Sequence, residues 1–283
     1  MDFDGARHDA AFAGELLAER ARIAGLRGYA ALTRTWERAS PASYGRAQAL
    51  LGRDPQARPE ARPLPEMGST IEIDGIRMRI DPRMSEHNIR KLARGRHTQH
   101  ERALLRRSLR DDDRVMELGG GIGMVAIDCA RRLGGDRVAS YEASPRMESL
   151  IRDNYALNDV TPTLTMAMVG ERSGTRTFHV ADRFSRSSAH TGGGEGTVPV
   201  EVPVLALSEE MAKHRPSVLV CDIQGGETEL FGFADLSSLR MVLVEVHPDM
   251  IGLAGARAVA RRIRGAGLRD AGRAGQSLLF RRP

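Results

Sequence analysis

The sequence predicts a doubly wound α/β fold, a Rossmann-like sheet preceded by a helical appendage, and two features lead to that reading. From Arg114 onward short apolar runs, RVMEL, RVASYE, TLTMAMV, SVLVCDI and MVLVEV, alternate with segments of helical pattern such as SPRMESLIRDNYAL. Parallel strands need a crossover at every step, so this rhythm implies a sheet covered by helices on both faces. The second feature is ELGGGIGM, Glu117 to Met124, where a strand enters a helix through glycines whose missing side chains admit a close neighbour.

In chain order, residues 1–54 read as the helical appendage. Phe12, Leu16, Ile23, Leu26 and Trp36 lie close to one helical stripe, and Ser40 with Pro41 offers an N-cap and a first-turn proline. Residues 55–68 hold Pro55, Pro59, Pro63 and Pro65, whose fixed φ and missing donors favour an extended linker. Residues 69–283 are then the main domain. It opens with STIEIDGIRMRID, which alternates apolar and polar residues around Asp74 and Gly75 as a hairpin does. A helix over about Gln99 to Leu109 leads to the glycine turn. Later, RTFHV and TVPVEVPV read as added strands, and GLRDAGRAGQSLLF as a closing hairpin at the sheet edge. The loop between the added strands, Arg183 to Thr197, carries Arg186, His190 and four glycines; it fits closure over a hydroxylated or anionic acceptor as well as a plain surface insertion.

Composition narrows the function classes. No run approaches the roughly 20 apolar residues of a membrane span, and the acidic start MDFDGARHDA lacks the pattern of a secretory signal, so a cytoplasmic protein without membrane partners is expected. Cys129 and Cys221 are too few for a disulfide framework or a thiolate metal site. A net charge of +5 invites a nucleic-acid reading. Against it, Lys91 and Lys213 are the only lysines beside 40 scattered arginines, and aromatic residues at 4% leave few rings for base stacking. His97 and His100 form HxxH without the HExxH glutamate or a cysteine pair, so no metal is assigned.

Two cofactor classes use a strand–glycine–helix turn. Gly121, Gly123 and Ala126 satisfy GxGxxA, which keeps an NAD-dependent or flavin oxidoreductase in play. Glu117, two residues before Gly119, tilts the balance, because a carboxylate there repels a pyrophosphate and suits an ammonium or sulfonium. Glu142 ends the next strand 23 residues after Gly119, where an acid can accept both hydroxyls of a ribose.

Over Glu117 to Gly123 and Glu142 the chain resembles the class I S-adenosylmethionine-dependent methyltransferases. YEASPRMESLIRDNYALND, AMVGERSGTRTFHV, VLVCDIQGGETELFGFAD and VLVEVHPDMIG, in this order, are similar to the FkbM methyltransferase family, from about Glu101 to the C-terminus. The resemblance implies S-adenosylmethionine bound through Glu117, Gly119, Gly121, Gly123, Glu142 and Glu101, and an O-methyltransferase acting on a small molecule, sugar or glycan. Asn154 and Asn158 match asparagines common in the family and read as structural helix-end residues. The family usually has Lys-Ile-Asp-Val-Glu-Gly-Ala-Glu in the fourth strand, where this chain has Val220-Cys221-Asp222-Ile223-Gln224-Gly225-Gly226-Glu227. The lysine and the first glutamate are replaced, so a noncatalytic binding protein that kept the fold stays among the alternatives, together with a nucleic-acid methyltransferase.

Ligands of open α/β sheets sit beyond the C-terminal strand ends, where Asp222 and His247 emerge. An alcohol must lose its proton to accept a methyl group, and these two are the candidate catalytic residues. His247 also suits a plain strand-end histidine bonded to a carbonyl, and Asp222 also suits holding the cofactor's amino group. Met166 and Met168 stand on the expected third strand, where adenine would stack, though methionine there also suits the core. The helical appendage would cover the site or mediate a homodimer.

Overall fold

The computed structural model describes residues 63–181 and 197–283. The expected helices of residues 1–54, most of the linker, and the loop residues 183–196 lie outside the described residues. Residues 64–283 form one compact unit.

Its first elements are a hairpin, β1 (Thr70–Ile73) and β2 (Ile76–Arg79), joined where expected by Asp74 and Gly75, both at positive φ. Two positive-φ residues in a two-residue turn match the twist of the flanking strands. Ile76, Met78 and Ile80 alternate inward and are fully buried. Two helices follow, α1 (Glu86–Ala93), which the sequence reading did not contain, and α2 (Gln99–Ser108). Ser85 starts α1 as an N-cap, its side chain accepting from the Asn88 N–H. Arg102 of α2 is buried and reaches Asp74 at 2.9 Å, so the helix that carries Glu101 is tied to the hairpin turn.

The central sheet has seven strands in the order β11-β12-β10-β9-β3-β4-β5. β3 (Val115–Leu118), β4 (Val138–Glu142), β5 (Thr163–Met166), β9 (Val218–Cys221) and β10 (Met241–Glu245) are mutually parallel. β11 (Arg269–Ala274) and β12 (Ser277–Arg281) close one edge as the expected hairpin, with β12 antiparallel to β10. Helices α3 (Met124–Leu133), α4 (Glu148–Leu157), α5 (Leu207–His214), α6 (Glu227–Phe233) and α7 (Pro248–Gly265) occupy the connections. β3 stands between β4, reached directly through α3, and β9, reached only after the chain has left the sheet and returned. That reversal of winding makes the C-terminal ends of β3 and β9 the switch point of the sheet, the place where ligands of open α/β sheets bind.

At the opposite ends of the same strands, Asp113 gathers the chain. Its carboxylate accepts from Arg240, from the Ser217 hydroxyl at 2.6 Å and from the Arg110 N–H at 2.7 Å, joining the residues that precede β3, β9 and β10. Burial works against its charge, but the bonds from Arg240 and Ser217 prevail and hold the carboxyl below its usual range.

One expected strand is two. TLTMAMV breaks at Ala167, whose N–H turns back to the Thr165 carbonyl. Thr163–Met166 pairs with β4, whereas β6 (Met168–Gly170) pairs with β8 (Thr197–Ala206), which also binds β7 (Gly174–Ala181) in a separate three-stranded sheet. Met168 packs on Phe178, Val180 and Val202 of that sheet, so it is not a neighbour of Met166 on one strand.

Asn154 is a second correction, since it lies within α4 and not at its end. It is fully buried, accepts from the Arg79 N–H at 2.9 Å and donates to the Ile122 carbonyl at 2.9 Å. Asn158, at the C-cap, accepts from the Arg77 N–H and donates to the Arg77 carbonyl. The two amides act as a short substitute strand along β2 and join the hairpin to the glycine turn. Among the described residues no helix is long and apolar enough to cross a membrane. Replacing Asn154 by Ala strands two buried backbone groups, and chemical denaturation should register a loss of about 2–4 kcal/mol; a change below about 0.5 kcal/mol would contradict this role.

Candidate functional site

The candidate site is built around one close approach. Gly119 follows β3 with φ +90°, and a Cβ on it would lie 1.8 Å from the Asp222 carbonyl oxygen. No other residue type fits there, because both partners are backbone. Gly123, also at positive φ, leaves room for the Tyr155 and Ile151 side chains beneath the turn. The neighbours that the glycines admit are therefore in large part the protein's own strands and helices.

The loop's N–H groups are also engaged internally. Gly119 and Gly120 both donate to the Tyr141 carbonyl at 2.9 Å, Gly123 donates to the Gly120 carbonyl, and Gly121 donates to Glu142 Oε2 at 2.8 Å. A pyrophosphate cradle needs such donors facing outward, and four of them are committed here.

Glu142 ends β4, where the sequence placed it. Oε1 accepts from the Ser144 N–H at 2.7 Å and Oε2 from Gly121, with the Ala143 N–H also acting on the carboxylate, and its two oxygens offer about four acceptor positions in all. Burial pushes the carboxyl up to about 7, against the pull of the Ser144, Gly121 and Ala143 N–H groups. Two hydroxyls of a ligand can complete the oxygens' coordination.

Glu117, the other acid assigned to the cofactor, is buried in the sheet. It lies within β3, only 3% exposed, and accepts the Ser140 hydroxyl at 2.5 Å and the Ala126 N–H in the first turn of α3. Burial drives its carboxyl up to about 8. Its register neighbours in the sheet are Ser140 and Val220. The position where the family resemblance would put a lysine is therefore beside this carboxyl, and with valine there the acid has a hydroxyl partner and tends to keep its proton. These bonds join β3 to β4 and to the first turn of α3.

Beyond the ends of β9 and β10 lies the second half of the site. Asp222, with 31% of its side chain open, accepts from Gln224 Nε2 at 3.0 Å and faces His247 Nε2 at 3.4 Å. His247 holds Glu227 Oε1 through Nδ1 at 2.6 Å and meets Gln224 Nε2 at 2.9 Å. Glu227 has no exposure, and its Oε1 also receives the Gly225 N–H. Glu245 brings a further carboxyl to within 4.8 Å of Asp222 and His247. Glu101 of α2 is buried, accepts the Ser277 hydroxyl, and its charge opposes ionisation of both Asp222 and Glu245. Burial raises Asp222 and takes Glu245 well above the usual carboxylate range. For His247 burial lowers the pKa, but the Glu227 hydrogen bond and the charges of Asp222, Glu245 and Glu227 outweigh it and bring it up to about 10. Gln224 can serve either proton state, donating to a neutral Nε2 or, turned over, accepting from an imidazolium.

The expected residues thus fall into two groups, the glycine turn with Glu142 and Glu117, and the cluster of Asp222, His247 and Glu101. Glu245 was missed. Its signal was the pair Glu245 and His247 two apart at a strand end, which puts both on one face. His100 packs against Gly275 and contacts Gln99, while His97 is buried with Nδ1 unpartnered. Cys129 and Cys221 are both buried thiols.

Residues 122–262 match the family model described as the methyltransferase FkbM domain. Among solved structures the chain is similar to precorrin-6y C5,15-methyltransferase from Geobacter metallireducens, at 14% identity over 64% of this chain and 87% of that one, with a TM-score of 0.42. It is also similar to ribosomal protein L11 methylase from Lactobacillus delbrueckii subsp. bulgaricus, at 16% identity over 73% and 86%, with a TM-score of 0.41. A third is the tRNA (uracil-54, C5)-methyltransferase of Pyrococcus abyssi in complex with S-adenosyl-L-homocysteine, at 10% identity over 76% and 43%, with a TM-score of 0.43. No curated protein matches.

His97 yields a pH prediction. Burial brings its pKa down to about 3, so between that value and the ordinary 6.5 the unfolded chain binds a proton that the folded chain refuses. Its contribution is complete above about pH 6.5 and is lost as pH falls toward 3, by up to about 1.4 kcal/mol per pH unit. Urea denaturation from pH 7 to 4 should show this slope, and His97→Leu should flatten it; an equal slope in both proteins would remove His97 as its source.

Proposed function

The chain belongs to the FkbM methyltransferase family, and on that premise we propose that it transfers the methyl group of S-adenosylmethionine to a hydroxyl of a small molecule, sugar or glycan. The observation that carries this reading is Glu142, a strand-end carboxylate anchored by backbone N–H groups and still able to accept two hydroxyls beside the bare turn. The ribose of the cofactor is such a diol. The cofactor's positive sulfonium and ammonium suit a crevice lined by Glu101, Asp222 and Glu245, and the same acids oppose the phosphates of a dinucleotide. The inward commitment of the Gly119, Gly120, Gly121 and Gly123 donors supports the same choice.

Methyl transfer from sulfur is an in-line displacement, and holding an oxygen behind the methyl carbon supplies much of the rate. Asp222 and His247 follow the C-terminal ends of β9 and β10, 3.4 Å apart, and in this reading act on the acceptor's O–H. Glu227 orients His247 from behind through Nδ1. Val220 and Gln224 do not empty this end, because Gln224 still bridges Asp222 and His247.

The arginine excess gives little support to a nucleic-acid acceptor. Among the described residues the seven arginines Arg77, Arg90, Arg106, Arg132, Arg152, Arg176 and Arg264 are each matched by a carboxylate, and these pairs are spread over the surface.

Two measurements test the reading. Glu142→Ala should weaken S-adenosylhomocysteine binding by roughly 10- to 100-fold in calorimetry, and an unchanged affinity in a folded variant would remove the ribose assignment. Asp222→Asn and His247→Ala should each lower kcat by about 10²- to 10⁴-fold with a hydroxylated acceptor. Full turnover by both variants would displace these residues from the reaction.

A further inference from the structure

We propose that Asp222, Glu245 and His247 bind one divalent cation at the acceptor end of the crevice, an inference that rests on the methyltransferase reading and adds a substrate class to it. One ligand-type atom from each lies within 4.8 Å of the other two. They come from the adjacent ends of β9 and β10, where sheet pairing fixes their spacing.

The imidazole is set as a metal-binding histidine is set. Nδ1 is held at 2.6 Å by Glu227, which has no solvent exposure, and Nε2 faces Asp222 at 3.4 Å. A carboxylate behind the ring fixes its orientation and makes the other nitrogen a better ligand. The second oxygen of Glu227, Oε2, is buried without a partner, so its carboxylate is held inside the protein on Oε1 contacts alone. Among the described residues no donor reaches the Glu245 carboxyl, although it stands against two ligand-type neighbours. Gln224 places its Nε2 3.0 Å from Asp222 and 2.9 Å from His247, so a donor already occupies the ground between the groups a cation would join. Turning over the amide would present its oxygen to the ion instead.

Two carboxylates and one imidazole form an oxygen-rich set that suits Mg²⁺ or Mn²⁺ better than a thiolate-seeking metal. Three protein ligands leave positions open on an ion that takes about six. An acceptor with two neighbouring oxygens, a vicinal diol or a hydroxyl beside a carbonyl, fills two of them. Coordination would orient the hydroxyl and ease loss of its proton to solvent.

Mn²⁺ titration of the full-length protein saturated with S-adenosylhomocysteine, followed by the loss of the free-ion electron paramagnetic resonance signal, tests the site. One Mn²⁺ per chain is expected, displaced by Mg²⁺. Asp222→Asn and Glu245→Gln should each weaken binding at least about tenfold, and Glu227→Gln, which leaves all three ligands in place, by about 10- to 100-fold. Should these variants fail to fold, the wild type decides alone, because Mn²⁺ below one equivalent must broaden the ring-proton resonances of His247 before those of other histidines. No stoichiometric Mn²⁺, equal affinity in the folded variants, or broadening elsewhere overturns the cation site. Calorimetry of S-adenosylhomocysteine on the same samples stands apart: normal cofactor binding together with no Mn²⁺ binding ends the cation proposal only, whereas absent cofactor binding ends the methyltransferase reading.

Discussion

The contact between two strand ends at the middle of the sheet is the constraint on which the rest of the site depends. The Asp222 carbonyl occupies the space of a side chain at position 119, so β9 can lie beside β3 only if that position is glycine. Parallel pairing then places Glu117 next to Val220 and Leu118 next to Cys221, and the residue after Cys221 emerges at the crevice. From this one approach follow the position of Asp222, the reach of Gln224 to it, and through the neighbouring β10 the arrival of Glu245 and His247. At the far ends of the strands Asp113 performs a matching service with Arg240 and Ser217, so the sheet is tied together at the end opposite Asp222 and His247.

Much of this architecture could be read from the residues. The parallel strands were visible because buried strands of an α/β sheet are continuous apolar runs, and the first hairpin because Asp74 and Gly75 tolerate positive φ. TLTMAMV misled for the same reason, since an apolar run does not announce a turn; only pairing partners separate Met166 from Met168. Helix α1 was missed because its apolar positions are few, with Ile89 and Leu92 buried amid charged neighbours.

The site was legible in part. Strand-end acids can be located from apolar runs, which found Glu142 and Asp222. Which way a carboxyl within a strand points cannot be read so simply, and Glu117 is bonded inside the sheet. Its partners, the Ser140 hydroxyl and the Ala126 N–H, come from elements that only the fold brings together. Glu245 was hidden for a related reason, being a single acid in VLVEV whose meaning depends on Asp222 across the sheet.

The Glu117–Ser140 pair bears on how such a protein can drift. A buried acid opposite a lysine is an ion pair, and deleting one member ordinarily leaves a stranded charge at a cost of several kcal/mol. Here Glu117 lies beside Val220 and shares a hydrogen bond with Ser140, with burial pushing its carboxyl up to about 8. An evolving lineage could cross from the charged to the uncharged arrangement one substitution at a time, because the intermediate need only retain a hydrogen ion. The middle of the sheet thereby becomes a place where electrostatic character can change while the backbone stays as it was.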